Sequence, residues 1–279
     1  MVAPGGTEPV PGSLASLAGT ARGQAGAENF PVALKVLPRV PRGRLLALYD
    51  FARFVDDVGD AEYEVDGHPA TTADRLRLLD LVAADLDAEH PRLAPVAGLT
   101  PMRTAGVPAR PFHDLVEANR VDQAVTTYAT FGDLVGYCRL SADPVGRVVL
   151  HVAGAATAER LAWSDDVCTA LQVLEHCQDV TEDAGKGRVY LPQADLARGD
   201  EQQAVAVNVE RSEALLRSGR PLVRSLSGWA RLAVAGFVAG GLATADALRA
   251  AHFRTTGPTV TPGQATTAKH AAALLIGRG

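Results

Sequence analysis

Apolar residues recur along this chain at steps of three and four rather than in alternation, the period of helices that bury one face. Leu45, Leu46, Leu48, Ala52 and Val55 form one such face, and Pro41 ahead of them suits a first helical turn, so a helix is expected to run to Gly59 and Asp60. ENFPVALKVLP at 28–38 predicts a shorter helix stopping near Pro38. DRLRLLDLVAADLDAEH at 74–90 mixes charge and Leu in the manner of a half-exposed outer helix, and Pro111 opens another with Phe112, Leu115, Val116 and Val125. Residues 130–155 read as two helices joined between Ser141 and Pro144, since a residue before proline avoids the α region. A further helix is expected from Ser164, as N-cap, to Asp183, and three more over 201–218, 221–253 and 263–276, separated by Gly219-Arg220-Pro221 and TTGPTVTPG. The Gly/Pro-rich leader, residues 1–24, is expected to be disordered. No linker or fixed repeat divides the remainder, so 25–279 reads as a single all-α domain.

Two of these helices carry acid where core is expected. Tyr49, Arg53, Asp56 and Asp60 follow at steps of four, three and four and share one stripe; Gln172, Glu175, Asp179 and Asp183 do the same more than a hundred residues later. Taken alone, the first stripe also fits a solvated helix end, with Arg53 pairing Asp57 or Asp60. The second sits among Val167, Leu171, Val173, Leu174 and Val180, where uncompensated carboxylates are costly. Two such stripes suggest a shared cluster of magnesium, a hard ion that binds a few carboxylates together with substrate phosphates and water. Arg53, Lys186 and Arg188 supply cations for such a phosphate.

Composition sharpens the class. The chain is 47% hydrophobic but only 5% aromatic, which favours helix over sheet, and its formal charge of -5 argues against nucleic acid as a partner. Cys138, Cys168 and Cys177 form no CxxC pair and fit a reducing cytoplasm. The histidines show no zinc spacing, His151 and His176 reading as core or supporting residues, and neither a P-loop, a dinucleotide fingerprint nor a GxSxG elbow is present. Gly236 and Gly240 form a GxxxG expected to allow close helix packing. The apolar run Leu232 to Ala245 is shorter than the ~20 residues needed to span a bilayer, which leaves peripheral contact at the inner face of the membrane open.

The motifs Tyr49-x-x-x-Arg53-x-x-Asp56-Asp57-x-x-Asp60, YCRLSADPVGR at 137–147, and Gln178-Asp179-x-x-x-Asp183 followed by GRVYLP resemble the squalene and phytoene synthase family, over nearly everything from residue 27 onward. ENFPVA at 28–33, the form of the middle motif and the QDV before the last acid most resemble its bacterial hopanoid-pathway, hydroxysqualene-forming branch. The resemblance implies an isoprenoid synthase (class I terpenoid synthase) helical bundle around a central cavity. It implies Mg2+ held by Asp56, Asp57, Asp60, Asp179 and Asp183, and diphosphate bound by Arg53, Lys186, Arg188 and Tyr190. Phe30, Tyr49, Tyr137, Ala142, Val145, Gly146 and Gln172 match positions lining the hydrocarbon cavity. The implied substrate is presqualene diphosphate, converted with water to hydroxysqualene beside a presqualene diphosphate synthase and a hydroxysqualene reductase. Tyr137, Ser141, Asp143, Gln172 and Glu175 are the polar candidates to position the water. Glu175, which stands where many members carry Asn, is preferred for lying one turn from Asp179. Head-to-head prenyl synthesis from farnesyl or geranylgeranyl diphosphate is the alternative within the family; a non-catalytic helical partner protein is the alternative outside enzymes, disfavoured because both acidic stripes are intact.

Overall fold

The computed structural model describes residues 11–24, 37–256 and 259–277, so positions 28–36 of the helix expected at 28–38, Phe30 among them, lie outside the described residues. The described chain is helical apart from a short antiparallel hairpin, β1 Glu64–Val65 paired with β2 His68–Pro69, whose turn places Asp66 and Gly67 at positive φ. It divides into two compact units, residues 1–123 and 124–279.

The first unit contains α1 Gly12–Gln24, α2 Arg39–Asp60, α3 Thr72–Asp87, α4 Ala94–Ala97, α5 Thr100–Thr104 and α6 Arg110–Val121. Part of the segment expected to be a disordered leader is therefore helix. Leu14, Leu17 and Ala18 are buried, and α1 packs on α2, so burial of a small apolar face outweighs the glycines around it. The acidic helix α2 packs on α3 and α6 through Leu45, Leu48, Phe51, Phe54, Val55 and Val58, with Phe51 and Phe112 edge to face at 5.8 Å. A capping box between Thr71 and Asp74 starts α3.

The second unit contains α7 Phe131–Ser141, α8 Asp143–Val152, α9 Ala158–Gln178, α10 Val180–Gly185, α11 Gln193–Leu196, α12 Glu201–Ser225, α13 Gly228–Ala250 and α14 Gln264–Ile276. The α7–α8 break falls at Ala142, within the expected joint. Two expectations change. The helix bearing the second acidic stripe starts not at Ser164, which is buried mid-helix, but at Thr157, whose side chain accepts from the Arg160 amide. And α12 continues through Pro221 to Ser225. The expected break at 219–221 is overridden by packing, because Gly219 lies so close to α9 that a Cβ there would meet Val167 Cγ2 at 2.4 Å and the Trp163 carbonyl at 2.9 Å. Among the described residues one helix, α13, is long and apolar enough to cross a bilayer, and more than half of its apolar window is buried inside the fold.

Candidate active site

In the first unit the carboxylates sit on the last turns of α2. Asp57 is buried and pairs with Arg53 at 3.1 Å, one turn back, while Asp56 and Asp60 keep exposed surface. Asn119 on α6 donates its amide to Asp56 Oδ1 at 3.0 Å and to the Leu115 carbonyl at 3.3 Å. The Asp56 carboxylate retains accessible surface at the edge of a dense surround. That surround raises its pKa to about 7, against the Asn119 bond, which lowers it, and with the charge of Asp60, which raises it further. Arg75 of α3 gathers the loose end of the helix, donating to the carbonyls of Val58 at 3.3 Å, Gly59 at 2.8 Å and Ala61 at 2.8 Å while lying 5.0 Å over the Tyr63 ring. Gln123 adds a bond to the Gly59 carbonyl at 3.2 Å. The positions of Asp56, Asp57 and Asp60 are thus fixed by side chains from α3 and α6. None of these is marked by a motif, although Asn119 lies on the buried face of α6 among Phe112, Leu115 and Val116.

In the second unit α9 ends at Asp179 and α10 begins at once, yet the four-residue register is kept. The Asp179 amide bonds the Glu175 carbonyl at 3.0 Å, and the Asp183 amide bonds the Asp179 carbonyl at 2.8 Å. Burial raises the Asp179 pKa, with the charges of Asp183 and Glu182 adding to it. Oδ2 of Asp183 is buried without a hydrogen bond; His176 Nδ1 stands 3.6 Å from it. His176 is itself buried, stacked on Tyr190 at 3.7 Å between centroids, and within 3.3 Å of the Gln172 amide through Nε2. Tyr137 joins the same cluster, 5.7 Å from Tyr190 and 6.3 Å from His176. Three sequence candidates, Tyr137, Gln172 and Tyr190, are therefore drawn around one histidine that supports the last carboxylate.

The segment after α10 folds back along residues 126–129. Gly187 turns at φ +76°, the Arg188 amide bonds the Asp183 carbonyl at 2.9 Å, and the amides of Val189 and Gln193 bond the carbonyls of Thr126 and Tyr128, each at 2.8 Å. Lys186 is exposed and pairs with Glu182 at 2.7 Å. Ala142 and Val145 lie at the α7–α8 corner with partial exposure. Gly146 is taken up in the α8–α9 contact, where a Cβ would meet Ser164 Oγ at 2.3 Å and Cys168 Sγ at 2.5 Å. Asp143, buried at the same corner, accepts from Thr169 at 2.9 Å.

A cavity of about 400 Å³ opens between α9 and α13, with Glu175, Gln178 and Asp179 on its polar side and Leu171, Leu174 and Phe237 on its apolar side. Glu175 is exposed into this space. The glycines of α13 behave differently from expectation: Gly236 and Gly240 line the cavity, and a Cβ on either meets nothing within 4 Å. The close helix contact is made by Gly241 instead, whose Cβ would lie 2.8 Å from Leu171 Cδ2 and 3.1 Å from Leu216 Cδ1.

The carboxylates suit a hard divalent cation. An orphaned oxygen on Asp183 and raised proton affinity at Asp179 and Asp56 are conditions that a bound cation relieves. Among the described residues no three His, Cys, Asp or Glu side chains close into a metal cage.

The squalene/phytoene synthase family model matches residues 24–267. Hydroxysqualene synthase of Rhodopseudomonas palustris is 35% identical over 212 residues, covering 73% of this chain and 65% of that protein. Phytoene synthase of Mycobacterium tuberculosis is 31% identical over 176 residues, covering 62% and 55% respectively. The crystal structure of squalene synthase HpnC from Alicyclobacillus acidocaldarius superposes with a TM-score of 0.76 at 34% identity, over 86% of this chain and 96% of that one. The matched stretch spans 54–65% of the length of the first three curated relatives.

Proposed function

The chain belongs to the squalene/phytoene synthase family, of isoprenoid synthase fold, and from that premise we propose that it is a hydroxysqualene synthase acting on presqualene diphosphate. The observation that carries the reading is the end of α9. Asp179 stands between a second carboxylate one turn on, Asp183, and an apolar cavity that begins at Leu171, Leu174 and Phe237. A diphosphate with a long hydrocarbon attached matches that polarity.

Within the first unit Asp56, Asp57 and Asp60 would hold Mg2+, and within the second Asp179 and Asp183 would do so. When bound, it supplies Lewis-acid stabilisation of the departing diphosphate. Arg53 and Arg188 offer planar forks to the diphosphate oxygens, with Lys186, exposed and paired with Glu182, a further cation. The carbon–oxygen bond to diphosphate breaks with both electrons on oxygen, the cyclopropylcarbinyl cation rearranges, and water adds to the resulting allylic cation. The proton lost from that water would pass to Glu175, a carboxylate on the cavity wall. Held by its contacts with Tyr137 and Tyr190, His176 stands 3.6 Å from Asp183 and helps to keep that carboxylate in place. In this role the protein works in the cytoplasm, receives its substrate from a presqualene diphosphate synthase and passes its product to a hydroxysqualene reductase.

The test is product analysis by mass spectrometry with presqualene diphosphate, with and without Mg2+ and NADPH. A C30 alcohol formed with Mg2+ and without NADPH is expected. A C30 or C40 product made from farnesyl or geranylgeranyl diphosphate alone would establish head-to-head condensation instead.

A further inference from the structure

Glycine weakens the interior of a helix relative to alanine, so glycines retained mid-helix need a return in packing or function. On α13 the three glycines divide. Gly241 is required by packing, since its Cβ would strike Leu171 and Leu216. Gly236 and Gly240 have no such reason, because open space surrounds the Cβ position of each. They lie one turn apart on the same face, and both form wall of the cavity that has Asp179 and Glu175 at its polar side. Their bare backbone holds that cavity at about 400 Å³ opposite Leu171 and Leu174.

The geometry points to Gly236 and Gly240 as the residues that set how long a hydrocarbon arm the site accepts. This rests on the functional reading above. The occupant is one prenyl arm of the diphosphate substrate, argued from carboxylates at one side of the cavity and apolar side chains at the other. A side chain at either position projects into the space the arm fills and shortens it from the wall, leaving the carboxylate end unchanged. The glycines are thereby specificity-determining and take no part in the bond changes.

The test uses a graded series, Gly240→Ala, Gly240→Val and Gly240→Leu, with the same changes at Gly236. Binding of unreactive geranyl (C10) and farnesyl (C15) thiodiphosphates is measured calorimetrically in Mg2+, alongside thermal unfolding. Alanine is expected to leave Tm unchanged or raised, whereas Gly241→Ala lowers it. Leucine at 240 is expected to weaken the C15 ligand roughly tenfold or more while leaving the C10 ligand within about twofold, the scale on which apolar pockets discriminate methylene groups. Equal affinities for both ligands throughout the series would overturn the filter, and so would parallel loss of both, which would mean obstruction of the diphosphate end. Wild-type protein that binds neither ligand in Mg2+ would overturn the functional reading itself, an outcome distinct from either of these because it needs no substitution.

Discussion

Asn119 reaches Asp56 Oδ1 at 3.0 Å because residue 59 has no side chain. A Cβ at Gly59 would lie 2.2 Å from Asn119 Oδ1 and 3.1 Å from its Cγ, so the glycine of DDVGD makes room for the amide that orients the first aspartate. Gly59→Ala should therefore swing Asn119 away rather than break the fold. A lost hydrogen bond to a charged group is about 1.5–3 kcal/mol, so roughly a ten- to hundredfold fall in kcat/KM is expected, with a much smaller change in Tm. Steady-state kinetics paired with calorimetry checks it. Asn119→Ala should reproduce the kinetic loss, and the double variant should be no worse than either single one.

Asp143 gives a pH signature outside the proposed metal ligands. Burial raises its pKa to about 7, with Asp165 adding to the effect and Thr169, Arg147 and Arg139 opposing it. The folded state thus holds a proton that the unfolded chain, near 3.9, releases. Between those values the folded state binds more protons, so stability from this group is full below pH 4 and is lost as pH rises through 7. Urea midpoints measured from pH 5 to 8 should fall with rising pH, and Asp143→Asn, which keeps an oxygen for Thr169, should flatten the slope. An equal slope in the variant would place its origin elsewhere.

The carboxylate stripes were legible because a helix converts sequence steps of three and four into one face, and the hydrogen bonds from Glu175 through Asp179 to Asp183 preserve that step even where α9 gives way to α10. What the sequence does not carry is the partner of each acid. Asn119 lies 63 positions from Asp56, and Arg75 lies 16 from Gly59 across a hairpin, so their roles arise only when α3 and α6 fold onto α2. His176 was visible only as a polar residue on an apolar helix. Its link to Asp183 depends on a stack with Tyr190 across the chain reversal at Gly187. Pro221 and Ser164 misled for one reason: local signals for a break and a cap were overruled by the contact between α9 and α12. Gly236, Gly240 and Gly241 are alike in sequence, and only the neighbouring Leu171 and Leu216 separate packing from open wall.

The orphaned oxygen of Asp183 predicts linkage between metal, diphosphate and stability. A ligand that binds only the folded state stabilises it by about 2.7 kcal/mol at a hundredfold excess over Kd. Tm should rise when Mg2+ and pyrophosphate are added together and little with either alone. Asp183→Asn should abolish the joint rise and lower turnover by about a hundredfold or more, the scale set by removing one electrostatic stabiliser of a transition state. A joint rise of full size in that variant would remove Asp183 from the ligand set.

Arg75 is the remaining anchor of the first stripe. Its guanidinium satisfies three carbonyls at and just beyond the C-terminal end of α2, where helix carbonyls lack partners and the helix dipole favours a cation. Arg75→Ala should leave those carbonyls to water and fray the last turn, which bears Asp57 and Asp60. The expected cost is about 1–3 kcal/mol, the scale of unmade bonds to a charged donor, and hydrogen exchange should quicken at residues 57–61 before the rest of the first unit. Lysine at this position offers one compact ammonium in place of a planar fork and cannot span three carbonyls, so Arg75→Lys should recover only part of the loss. Full recovery by lysine would reduce the role of Arg75 to its charge.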